Sequence, residues 1–392
     1  MNFPVELIAL LLILIAFFAG FVLARRGAER SRGAQVDKLR RSYFRGLNYL
    51  LNEQPDKAIE VFLQIAEVDK HTIETHLALG NLFRRRGETD RAIRVHQNLI
   101  ARPNLTSEQK SLALLELGED YMRAGLLDRA ETLFTDLVSI DTHAATALRQ
   151  LISVCQQERD WTRGIEFARR LEKTAGEPQS ELIAQFLCEL SDGKERAGKL
   201  DEARRLLAEA RMVAPGAVRG YAQESKLAYA RQDDPICIEF GARALELDAE
   251  LTPELMPLIV EAFDRSGQSE RAEAFLENAM LRYPGVSPVL AKSRRIAERE
   301  GDEAAIRFLS ERLKSRPSVR GLAALVDLQI KTSDGAARDQ LNSLRELLTR
   351  LIRAQSAYRC SKCGFGAKQQ HWQCPGCKSW ATVRPVHGVA GD

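Results

Sequence analysis

Along most of the chain, apolar positions fall three and four residues apart in runs of about a dozen residues, parted by short polar stretches carrying glycine or proline. That spacing lines one face of a helix, so the pattern predicts helices joined by tight turns. The runs come in pairs. Between Ile73 and Asn104, Leu79-Gly80 and Phe83 mark a first helix, Ala92, His96 and Leu99 mark a second, and Gly87 parts them. The same landmarks stand 34 residues earlier at Gly46, Tyr49 and Ala58. A small residue in one helix admits a large one from its neighbour, so the unit is a closely packed antiparallel hairpin used repeatedly.

The small residue of the second helix recurs at Ala58, Ala92, Ala130, Gly164, Ala203, Cys237, Ala272 and Ala305, at intervals of 33 to 39 residues. The two longest intervals contain inserted turn formers, at Arg102-Pro103-Asn104 and Gly176-Glu177-Pro178. Gly87, Gly125, Gly198 and Gly267 stand five residues before the small residue, suited to end a helix with positive φ. Asp56, Asp90, Asp128, Asp201, Glu270 and Glu303 stand two before it, where they offset a helix dipole. Pro215, Pro284 and Pro317 stand twelve after it and stop the second helix. The order Leu-Gly-x-x-Tyr, Ala, Phe, Pro, most complete at Leu117-Gly118-Glu119-Asp120-Tyr121 with Ala130 and Phe134, resembles tetratricopeptide repeats. The hairpins near Cys155 and Ala228 lack the packing glycine. The resemblance implies an all-α fold, a right-handed superhelical solenoid over residues 37–318 whose concave face, lined by first helices, binds a peptide or protein.

One run has no polar face. Leu7 to Ala24 carries no charge, and 18 helical residues rise about 27 Å, close to the apolar thickness of a bilayer. Only Glu6 is charged ahead of it, whereas a cleaved signal peptide needs a basic segment there. Arg25, Arg26, Arg30 and Arg32 follow, and basic flanks stay in the cytoplasm. Residues 1–24 are therefore expected to be a single transmembrane anchor, with the N-terminus periplasmic and the bulk of the chain cytoplasmic. Residues 25–36 form a basic juxtamembrane linker.

The 57 basic and 54 acidic residues nearly cancel overall but are unevenly placed. Residues 25–41 and 353–392 each carry +5, which leaves −6 for residues 42–352. A mildly acidic middle argues against nucleic acid as the main partner. Cys155 and Cys237 occupy repeat core positions, where a thiol acts as a small hydrophobe, and Cys188 is read the same way. His71 and His76 lie about 140° apart on a helix and do not form a ligand pair. There is no HExxH, GxSxG, phosphate loop or dinucleotide fingerprint, so no catalytic residue is assigned and the chain is not read as an enzyme.

After helices expected over 319–356, residues 357–392 hold the chemistry. Cys360-Ser361-Lys362-Cys363 and Cys374-Pro375-Gly376-Cys377 are two Cys-x-x-Cys pairs, ten residues apart. Each pair can wrap one ion with a tight turn, and together they complete a tetrahedral S4 shell for iron or zinc. Gly364 and Pro375-Gly376 suit turns whose N–H groups donate to sulfur. Two pairs outside an α/β context point to ligation rather than thioredoxin chemistry, and a reducing cytoplasm disfavours disulfides. Arg359, Lys362, Lys368, Lys378 and Arg384 partly neutralise the thiolates and are free to dock against the acidic array. His371 is superfluous as a ligand, and Trp372 and Trp380 are expected to form the small core of a rubredoxin-type or zinc-ribbon module that needs its metal to fold.

Anchor, basic linker, repeats and four-cysteine module, in that order, resemble the lipopolysaccharide assembly protein B family of Gram-negative bacteria over essentially the whole chain. The resemblance implies an inner-membrane adaptor that helps the membrane-bound AAA+ protease degrade the deacetylase committing precursor to lipid A, in contact with other lipopolysaccharide-assembly proteins. Homo-oligomerisation stays open. The alternative is a membrane-tethered, rubredoxin-like iron protein for electron transfer. A nucleic-acid-binding ribbon would need an extended basic face that the chain lacks.

Overall fold

The computed structural model describes residues 41–49, 52, 54–68, 73–389, 391 and 392. The apolar run Leu7 to Ala24 and the linker lie outside these residues, as does His71. Among the described residues, no helix is long and apolar enough to cross a membrane. The chain divides into two compact units, one running to Arg159 and including Lys173–Ala175, the other made of Asp160–Glu172 and Gly176–Asp392.

The first unit is a stack of antiparallel helices: α1 over 41–49, α2 (Pro55–Val68), α3 (Ile73–Arg85), α4 (Thr89–Ile100), α5 (Ser107–Ala124), α6 (Leu127–Ser139) and α7 (Ala144–Glu158). Its turns follow from the sequence. Gly87 and Gly125 adopt φ of 81° and 75°, and the amides beyond them, Glu88 and Leu126, donate back to the carbonyls of Phe83 and Tyr121. These are Schellman closures, which satisfy the last carbonyls of a helix. The small positions Ala58, Ala92 and Ala130 are fully buried, and the residues four further on, Phe62, His96 and Phe134, fill the space opposite Gly46, Gly80 and Gly118. His96 stands where its counterparts are phenylalanine. Buried completely, it places Nδ1 2.5 Å from Asp120, which also accepts from Arg84 at 2.7 Å. Glu116 and Glu119 bind the same guanidinium at 2.7 and 2.8 Å.

The second unit continues the pattern with α8 (Trp161–Ala175, its last turn in the first unit), α9 (Ser180–Arg196), α10 (Leu200–Val213), α11 (Val218–Ala230) and α12 (Asp234–Leu247). A 3-10 turn (Ala249–Leu251) leads to α13 (Thr252–Arg265), α14 (Ser269–Arg282), α15 (Ser287–Glu300), α16 (Asp302–Ser315), α17 (Val319–Thr332) and α18 (Gly335–Ala354). Each of α10, α14 and α16 stops two residues before the expected proline. Where the packing glycine is missing, serine takes its place at 191, 225 and 293, and Ile152 and Val260 stand there in the other two hairpins. Ser191 and Ser225 donate to the carbonyls of Ala203 and Cys237, the small residues of α10 and α12, at 3.1 and 2.8 Å. The fold is that of a tetratricopeptide-like solenoid, ended by a small sheet of three strands: β1 (Tyr358–Cys360), β2 (Gly366–Ala367) and β3 (Val383–Pro385), in the order β2-β1-β3.

Candidate metal centre

Two hairpin turns hold the four cysteines. β1 pairs antiparallel with β2 and β3, Cys360 opposite Val383, so the first Cys-x-x-Cys leaves the central strand directly. The turns are closed alike: Gly364 N–H donates to the Cys360 carbonyl at 3.0 Å, and Lys378 N–H to that of Cys374 at 2.9 Å. Both closing residues have positive φ, 76° for Gly364 and 59° for Lys378. Gly376 does not use positive φ. A Cβ there would make ordinary contact with Cys363 Sγ at 3.5 Å and Phe365 Cβ at 3.4 Å.

Cys360, Cys363, Cys374 and Cys377 bring their sulfurs within 4.8 Å of one another. Cys360 to Cys377 and Cys363 to Cys374 are each 3.7 Å apart. That is far beyond a disulfide of about 2.05 Å, and none of the seven cysteines is in a disulfide. It matches a tetrahedral shell, in which metal–sulfur bonds of about 2.3 Å set sulfurs about 3.8 Å apart. The donors are tuned for charge. A hydrogen bond with Thr382 is the largest influence holding the Cys360 thiol down at about 6, and Lys362 N–H adds a donor at 3.4 Å. Ser379 lowers Cys377. At Cys363 the Phe365 amide favours the thiolate, yet burial and the three neighbouring sulfurs push the thiol up to about 12. Four sulfurs this close cannot all ionise without a cation between them, so the set fits a divalent or trivalent ion. His371 is not among the clustered donors.

The module's own core is Tyr358, Cys360, Ala367, Cys374 and Val383. Trp372 and Trp380, expected in that core, point instead into the repeats, because a sheet of eight strand residues has too little interior to bury two indoles. Trp380 packs edge-on against Trp161 and Phe186, at centroid distances of 6.0 and 6.1 Å. Trp372 packs on the core formed by α11 to α14. Between them lies Arg219, only 1 % exposed, its guanidinium 5.6 Å from each indole. Arg219 also pairs with Glu189 at 2.8 Å and Asp192 at 2.9 Å, where burial pushes the Asp192 carboxyl up despite the arginine.

Further contacts fall at the 3-10 turn and at the first turns of α13, α15 and α17. Tyr358 donates to Glu254 of α13 at 2.6 Å, and burial, then that carboxylate, raise its phenol. Arg384 pairs with Asp248, and His387 meets Glu250 at 2.7 Å. The tail supplies what two helix starts need: Val319 N–H donates to the Val389 carbonyl at 2.7 Å, while the buried Asp392 carboxylate binds Ser287 and, at 2.7 Å, Arg320. Of the basic residues read from sequence, Arg384 reaches the repeats' acidic side chains, whereas Lys368 caps the carbonyls of Arg353 and Gln355. Arg219, Glu254 and Asp392 carry no local sequence signal as site residues. A lone arginine at the second position of a helix is ordinary until its partners arrive from 150 residues away.

Two family models match: a rubredoxin metal binding domain over residues 358–385 and a tetratricopeptide repeat over residues 75–108. Among solved structures, the C-terminal part of a tetratricopeptide-repeat protein from Cytophaga hutchinsonii is 16 % identical, with a TM-score of 0.41, covering 62 % of this chain and 95 % of that one. Lipopolysaccharide assembly protein B of Escherichia coli is 35 % identical over 387 residues, 98 % of this chain and 99 % of that protein. Its namesake from Haemophilus influenzae is 33 % identical over 391 residues, 97 % and 98 % of the two chains. With repeats, four-cysteine module and nearly full-length identity in agreement, the chain belongs to the lipopolysaccharide assembly protein B family.

Proposed function

We propose that the chain is an inner-membrane adaptor that restrains lipopolysaccharide synthesis by presenting the deacetylase committing precursor to lipid A to the membrane AAA+ protease. The relatives' name supports the pathway, and repeat helices are a common scaffold for holding proteins. The observation that carries the reading is the seating of the metal module on the repeats through Arg219, which makes the cysteines part of the repeat body rather than a detached electron carrier. Cys360, Cys363, Cys374 and Cys377 would hold one zinc or iron ion, whose chemistry here is to cross-link two turns. Those turns fix Trp372 and Trp380 against α9 and α11.

In this reading Leu7 to Ala24 spans the membrane and the repeats lie in the cytoplasm, where the deacetylase and protease are met. Cells carrying Cys360→Ser or Cys377→Ser should accumulate the deacetylase, read as a lengthened half-life. An unchanged half-life with demonstrably metal-free protein would sink the reading. For topology, an alkaline phosphatase fusion at Asp37 is expected to be inactive, because the arginines after Ala24 hold that side in the cytoplasm. An active fusion reverses the orientation.

A further inference from the structure

A cleft of about 720 Å³ opens in the second unit between the ends of α14 and α16, the start of α15 and the tail. Val286, Val289 and Leu313 form much of its walls, and Val389 closes one side while remaining 59 % exposed. At the lip Leu281 is 88 % exposed, the highest value of any large apolar side chain among the described residues. This volume lies within the range of about 300–1,000 Å³ typical of small-molecule sites.

The charges at the cleft divide into two kinds. Asp392 holds Arg320 and Ser287 through one carboxylate oxygen, its other oxygen being buried without a hydrogen bond, and His387 meets Glu250. Arg312 and Arg316, four residues apart at the end of α16, have no carboxylate partner among the described residues, and Arg312 lies 5.6 Å over the Phe308 ring. Both guanidiniums favour the helix C-terminus, yet each keeps a planar fork of donors free at the mouth of an apolar cavity. A cleft with apolar walls and two arginines lacking carboxylate partners is matched by a molecule with an apolar tail and an anionic head.

We propose that this cleft binds an acyl chain bearing an anionic head group, the chain lying along Val286, Val289 and Leu313 and the carboxylate or phosphate taken by Arg312 and Arg316. The site is separate from the cysteine cluster and does not depend on the adaptor reading. The test uses the full chain in phosphatidylcholine nanodiscs with a diazirine-bearing myristate, mapped by mass spectrometry. Cross-links are expected on peptides containing residues 280–289 and 313–317, competed by myristate or dodecyl phosphate. The stronger competitor identifies the head chemistry. The Arg312→Ala/Arg316→Ala variant, altered only at exposed side chains, should label at least tenfold less. Competition by methyl myristate equal to that by myristate, wild-type labelling of the double variant, or cross-links confined to other peptides would each overturn the proposal.

Discussion

A Cβ added to Gly80 would lie 2.3 Å from His96 Nε2, and one added to Gly118 would lie 2.5 Å from Phe134. Both neighbours are fully buried and have nowhere to retreat. Gly118→Ala should therefore destabilise the first unit by about 2–3 kcal/mol, as overpacking of a tight core does. Urea denaturation followed by circular dichroism checks this, and an unchanged midpoint would remove the close-approach argument. The converse change applies at Gln232, which holds φ of 61° five residues before Cys237, where other hairpins have glycine. Gln232→Gly relieves a strained backbone, of order 1 kcal/mol, and should raise the midpoint. Gly87, Gly125, Gly198 and Gly267 were legible as left-handed turns because glycine announces them. Gln232 was not, since its conformation is imposed by the helices it joins. The serines at 191 and 225 were hidden for a related reason: their worth lies in a carbonyl twelve residues away that only the folded hairpin brings near.

Helix periods, turns and stops could be read along the chain because each rests on contacts within a few residues. The Cys-x-x-Cys spacing was legible for the same reason. The seating of the module was legible only as basic residues, Arg384 among them, facing an acidic array; the partners were not, because Arg219 meets indoles at 372 and 380, and Asp248 meets Arg384, with no periodicity linking them. Two predictions belong to these elements. In α9, burial pushes the Cys188 thiol up to about 12, so alkylation by iodoacetamide at pH 8 should be absent until the second unit unfolds. Rapid labelling of the folded protein would contradict the packing assigned to it. At the end of α14, burial and then the Asp392 carboxyl raise the Tyr283 phenol. Below pH of about 10 it is protonated whether the chain is folded or not, and its contribution is complete. Above that the unfolded chain loses the proton first, so stability falls as pH rises. Urea midpoints at pH 8, 10 and 11 should decline, and Tyr283→Phe should flatten the decline.

For the molecule as a whole, the four cysteines of the metal module are the one clustered set of metal-ligating side chains found among the described residues, and the module contacts named above lie within the second unit. Repeat helices bury their own cores, so stripping the ion should leave most of the far-UV helical signal. It should not leave the second unit undisturbed. Loss of the two turns frees Trp372 and Trp380, uncovers the buried Arg219 with Glu189 and Asp192, and withdraws the partners of Glu254, Ser287 and Arg320. The cation–π contact of a desolvated arginine is worth about 2 kcal/mol and hydrogen bonds to charged groups about 1.5–3 kcal/mol each, together a large share of the stability of one domain. Hydrogen exchange of the Cys377→Ser protein should therefore show faster exchange across residues 358–389 and in the first turns of α11, α13, α15 and α17. The helices from α3 to α6 should exchange as before. Arg219→Met separates the clasp from the ion: it keeps the cysteines and should retain metal, while loosening the same turns of α11 and the strands. If metal-free protein loses protection only within residues 358–385, the module is a passenger on the repeats. If α3 to α6 lose it equally, the division into two units does not hold in solution.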